Sequence, residues 1–136
     1  MKNKRKVLTV LIVLTLVFIW GNSLFDSNRS ADESGFVVRF LEFFFGQGNV
    51  SEHFVRKLAH FMEYALLGAE LLAYFGSYPM AAAHGLFTAF VDETLQYFSP
   101  GRSAEVKDIW LDLAGAATGA LVMLLILKLR KNKDKK

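Results

Sequence analysis

The sequence predicts an all-α, polytopic membrane protein: a four-transmembrane-helix bundle formed by one domain over residues 1–136. Three observations predict it. Apolar stretches at about 7–25, 57–75, 79–98 and 106–129 are each close to the length a helix needs to cross a bilayer. Hydrophobic residues supply 53% of the chain and are gathered into these long runs. The charge is segregated. Lys2, Lys4, Arg5 and Lys6 precede the first run, a basic cluster from Lys128 to Lys136 follows the last, and the residues between are net acidic.

The first run, from Val7 to Phe25, has the basic start and apolar body of a signal peptide as well as of a span. No small-x-small cleavage site follows Trp20, Gly21 and Asn22, so an uncleaved span is expected. Residues 26–56 are the longest polar connection. Within it, Phe36–Phe45 is too short to span and sets Arg39 and Glu42 in an aromatic surface. Such a segment either lies in the membrane interface as a short helix or packs on the bundle. Gly46 and Gly48 end it, and Ser51 is placed to cap the next helix, with Phe54 at its third position.

The second span is expected from about Lys57 to Phe75, and the turn residues Gly76, Ser77 and Pro79 lead into the third. Ser99-Pro100-Gly101 stops that span near Phe98. A short loop holding Arg102 and Glu105 precedes the fourth, from about Val106 to Leu129. Gly115 and Gly119, four apart and flanked by alanines, offer a surface for close helix packing.

Four spans return both termini to one side, and the basic ends make that side cytoplasmic. The expected location is therefore a cell membrane, multi-pass, with both termini cytoplasmic. The start of span two, the end of span three and the start of span four then meet at the extracytoplasmic surface. This gathers Arg56, Lys57, His60 and Glu63 with Asp92, Glu93 and Gln96, with Arg102 in the loop, and with Asp108 and Asp112. His60 and Glu63 share a helical face with Tyr64, as do Asp92 with Gln96 and Asp108 with Asp112. Ionisable groups in membrane-length segments are costly and point to function, although polar residues also tie helices together. Glu70 lies roughly 10 Å deeper than Glu63 at the helical rise per residue.

Several chemistries fit this set. As catalytic candidates, His60 would exchange protons near neutral pH, with Glu63 or Asp92 orienting its ring. As binding candidates, Arg56, Lys57 and Arg102 would grip a phosphate or carboxylate, with Gln96 and Asp108 beside them. Glu70, Glu93 and Asp112 are additional polar candidates. His60, Glu63, Asp92 and Asp108 have the residue types for a divalent metal, but no local His–His spacing supports one, so neither a metal nor a cofactor is expected. The chain has no cysteine, which excludes disulfides and thiolate chemistry. Basic ends flanking apolar runs read as membrane anchors, and no nucleic-acid-binding module is visible, so nucleic acid is not an expected partner.

Three stretches also resemble a known family. They are Arg56-Lys57-Leu58-Ala59-His60-Phe61-Met62-Glu63-Tyr64-Ala65-Leu66-Leu67-Gly68, then Asp92-Glu93-Thr94-Leu95-Gln96-Tyr97-Phe98-Ser99-Pro100-Gly101-Arg102, and finally Asp108 with the Gly115–Gly119 pair. Their order and spacing are similar to those of the VanZ-like family of small bacterial membrane proteins, over most of residues 10–125. The resemblance implies one VanZ-like membrane domain and carries the family's recurrent polar positions onto Lys57, His60, Glu63, Asp92, Glu93, Gln96, Arg102 and Asp108. Many members have Asn near the position of Asp112, so this chain adds an acid there. The family is named after an accessory protein associated with resistance to the glycopeptide teicoplanin, which implies a role in the cell envelope. The expected partners are membrane lipids and an anionic or lipid-linked cell-wall intermediate, with oligomerisation open to four short spans. Whether the protein is an enzyme stays open. A small-solute or proton-coupled transporter and a non-catalytic assembly protein of an envelope complex are the alternatives.

Overall fold

The computed structural model describes residues 2–24, 39, 42–43, 51–99 and 105–133. They form four long helices: α1 (Lys2–Leu24), α2 (Glu52–Phe75), α3 (Tyr78–Phe98) and α4 (Val106–Lys133). The expected short helix at 36–45 lies outside the described residues except for Arg39, Glu42 and Phe43, which are helical, and the loop with Arg102 lies outside them altogether.

Local chemistry sets the ends. Ser51 caps α2, its hydroxyl accepting from the Phe54 amide at 3.2 Å, so the helix starts five residues before the expected span. Gly76 closes α2 in the left-handed region, at φ 67°, and its amide bonds back to the Leu72 carbonyl. Pro79 then sits in the first turn of α3, where its missing N–H costs nothing. α1 and α4 run past the expected spans into their basic ends, because Lys and Arg are good helix formers. Asp108 in the first turn of α4 and Arg130, Lys131 and Lys133 in its last turn suit the helix dipole.

Consecutive helices run in opposite senses. Asn22 and Thr15 of α1 meet Glu63 and Glu70 of α2 in reverse order, and Ser23 of α1 meets Gln96 and Ser99 of α3. α2 is the shared wall, packing on α1 and α3 and most extensively on α4. Glycine makes the α2–α4 contact this close. A Cβ at Gly68 would strike the Ala116 backbone, and one at Gly119 would strike the Ala65 backbone. Gly115 faces the Phe61 carbonyl in the same way. The close packing expected of the Gly115–Gly119 pair is thus present, and Gly68 completes it from the other helix.

The bundle carries much of its polarity inside and its apolar surface outside. Thr15, Ser23, Glu70, Asp92, Glu93, Gln96 and Asp112 are buried, around a core that includes Ile19, Tyr64, Leu67 and Leu72. Val17, Phe18, Met62, Leu66, Phe87, Phe90, Trp110 and Leu125 are exposed, and every helix contributes to that surface. α1 and α4 are each long and apolar enough to cross a membrane, whereas α2 and α3 are interrupted by His60, Glu63, Glu70, Asp92 and Glu93.

Candidate functional site

The alternating helix senses bring the C-terminal ends of α1 and α3 and the N-terminal ends of α2 and α4 to one end of the bundle. There each helix turns a polar residue inward. α2 presents His60, whose side chain is 14% exposed, and its Nδ1 lies 3.8 Å from Oδ2 of the fully buried Asp92 on α3. Gln96, one turn on from Asp92, donates to the same Oδ2 at 3.0 Å and reaches the Ser23 hydroxyl of α1 at 3.4 Å. The Ser99 hydroxyl donates to the Ser23 carbonyl at 2.8 Å. The Asp92–Gln96 pair is therefore held by α1 as well as by its own helix.

Asp112 of α4 joins them. One carboxylate oxygen of Asp112, one of Asp92 and a ring nitrogen of His60 all lie within 4.8 Å of one another. Asp112 is 1% exposed, and neither of its oxygens has a hydrogen-bond partner among the described residues. Tyr64, one turn along α2 from His60, is fully buried, and its hydroxyl also lacks a partner among them.

The remaining candidates surround this cluster at different depths. Glu63 accepts from Asn22 Nδ2 at 3.2 Å, facing α1. Lys57 donates to Asp108 at 2.7 Å, and both side chains are partly exposed. That ammonium is already engaged, so it is a poorer clamp for an anion than its position at the end of the bundle suggested. Arg56 is half-buried beside it on α2. Glu93 is buried but turns away from Asp92 to a groove shared with Phe90, Tyr97, Val106 and Ile109. Glu70 is buried farther along the bundle, where it accepts from the Thr15 hydroxyl at 3.2 Å.

His60, Asp92, Gln96 and Asp112 thus come together, with Glu63 adjacent. Asp108, Glu70 and Glu93 stand apart from them, and Arg102 lies outside the described residues. Reasoning from the sequence gathered both Asp108 and Asp112 with His60; in the structure Asp112, one turn deeper, lies beside His60 and Asp92, while Asp108 pairs with Lys57. It also passed over Asn22 and Thr15, although Thr15, Ile19, Asn22 and Ser23 recur at the spacing of one helical face.

A family model described as VanZ/LLP1 matches residues 8–127, nearly the whole chain. The chain belongs to the VanZ/LLP1 family. The matched region takes in α2 and α3, most of α1 and α4, and every residue of the cluster. No curated protein and no solved structure matches the chain. Family membership and the two membrane-length helices together indicate association with a membrane.

Proposed function

We propose that this VanZ/LLP1 protein is a four-span membrane protein of the bacterial cell envelope that binds or acts on an envelope component through the polar end of its bundle. The observation that carries it is the buried His60–Asp92–Asp112 cluster, braced by Gln96, inside a bundle whose outer surface is apolar. Buried ionisable groups are expensive unless they are matched, and a stable bundle has cheaper ways to join its helices. The apolar exterior of all four helices, α2 and α3 included, suits hydrocarbon as the surrounding medium. The basic residues before α1 and at the end of α4 favour a cytoplasmic location for both termini, which turns the cluster toward the extracytoplasmic side.

In this reading an anionic headgroup, phosphate or carboxylate, meets Arg102 and Arg56 at the surface, and His60 handles protons behind them, oriented by Asp92. An apolar cavity of about 280 Å³ between α1, α2 and α3, lined by Ile12, Leu16, Leu71, Phe75 and Phe87, suits an acyl or polyprenyl chain. A link to glycopeptide resistance would follow if the component were a wall precursor. The test is binding of a panel of extracted envelope lipids to the detergent-purified protein. Selective retention of an anionic lipid, lost in Arg102→Ala and weakened in His60→Ala, is expected. Retention without selectivity, or unchanged in both variants, would sink the proposal.

One observation favours a second reading. Glu70 and Thr15 continue the polar interior beyond the cluster, as a proton-coupled transporter would require. Flux into proteoliposomes under an imposed proton gradient, abolished by Glu70→Gln, separates transport from binding.

A further inference from the structure

We propose that His60, Asp92 and Asp112 bind a divalent transition-metal cation, zinc or manganese, between α2, α3 and α4. One nitrogen and two oxygens, from three different helices, already lie within 4.8 Å of one another. Around an ion with bonds of about 2.0–2.2 Å, neighbouring ligand atoms stand roughly 3–3.5 Å apart. Side-chain adjustments on the order of 1 Å would therefore close the set, within the freedom of two carboxylates and an imidazole.

An independent observation points to the same occupant. Asp112 is 1% exposed and directs a carboxylate oxygen at the other two groups, yet neither of its oxygens has a hydrogen-bond partner among the described residues. No Lys or Arg among them lies in ion-pair range of Asp112, and Lys57 is committed to Asp108. A buried acid left in this way is costly. A divalent cation would offset both carboxylates with a neutral imidazole, leaving the centre without net charge.

The surroundings are those of a ligand set. The Gln96 amide fixes Asp92 by donating to Oδ2, as outer-shell groups do for metal-binding carboxylates. Tyr64, buried one turn from His60, supplies a hydroxyl able to bond a metal-bound water or a ligand carboxylate. Three protein ligands leave a coordination position open, the arrangement found where a metal binds or polarises a further molecule. The imidazole donor favours zinc over calcium or magnesium, and the two carboxylates suit manganese as well. The inference does not depend on the envelope-component reading, and with a metal in place His60 serves as a ligand rather than as the proton carrier of that reading.

The full chain, purified in detergent, is stripped with chelator, equilibrated with zinc or manganese chloride and desalted, and its metal content and thermal unfolding are measured. Near-equimolar retention by the wild type is expected, with a rise of several degrees in Tm that chelator reverses. Asp112→Asn and His60→Ala should lose the retained metal and the Tm response, and Glu70→Gln, which changes a buried acid outside the cluster, should keep both. Substoichiometric retention by a folded, monodisperse wild type with no Tm response would overturn the proposal even if the variants failed to fold. Retention by Asp112→Asn equal to that of the wild type would also overturn it.

Discussion

Tyr64 and Asp108 are both polar residues at the same end of the bundle, and changing them should have different consequences. The Tyr64 hydroxyl has no partner among the described residues, so Tyr64→Phe removes a group that was desolvated without return. Metal-free protein should keep its stability in this variant or gain about 1 kcal/mol, measured by unfolding in mixed micelles. A clear loss would reveal a partner for the hydroxyl. Asp108 bonds Lys57 at 2.7 Å, but side-chain exposures of 31% and 25% leave the pair open to screening. A double-mutant cycle with Lys57→Met and Asp108→Asn should return a coupling of about 1 kcal/mol or less. Residue types and helical spacing were enough to nominate His60, Asp92 and Gln96 from the sequence. They could not separate Asp108 from Asp112, which share a stripe one turn apart. Only the depth at which α2 and α3 cross α4 decides which acid meets His60.

Among the helices, α2 and α4 form the tightest pair, and glycine decides it. In Gly68→Ala and Gly119→Ala the new Cβ would meet backbone of the facing helix, which cannot rotate away as a side chain can. Each should cost about 1–3 kcal/mol, read from the unfolding midpoint. Gly21→Ala on α1 is the matched control, because nothing lies within 4 Å of its added Cβ. It should be neutral or stabilising by up to about 1 kcal/mol, as expected for a helix interior. If Gly68→Ala behaved like Gly21→Ala, the close approach of α2 and α4 would be wrong. The four long helices were legible, since the apolar runs and the Ser51, Gly76 and Pro79 signals are local. The partner of the Gly115–Gly119 surface was not, because Gly68 sits in a segment that also carries His60, Glu63 and Glu70 and its role depends on the crossing. The inward stripe of α1 was hidden because nearly all its residues are apolar or small, so the polar minority sets no strong periodicity.

Across the described helices polar residues are buried and many large apolar ones are exposed. The proposed four-span topology makes a specific prediction, and a chain without cysteine is a clean background for it. With a membrane-impermeant thiol reagent on intact cells, Ser103→Cys should be labelled, whereas Asn3→Cys, Ser77→Cys and Lys135→Cys should be labelled only after permeabilisation. Labelling of position 77 in intact cells would refute four spans with cytoplasmic termini.

The backbone-to-backbone contact of α2 with α4 also determines how the interior can be reached. With Gly68, Gly115 and Gly119 each seated against the facing main chain, these two helices are in direct backbone contact over two turns. α1 is joined to the bundle by hydrogen bonds at Thr15, Asn22 and Ser23, and its contacts with α2 and α3 are less extensive than those of α2 with α4. Those bonds can break and reform without unwinding a helix. An opening toward the cluster would therefore form at α1 rather than between α2 and α4.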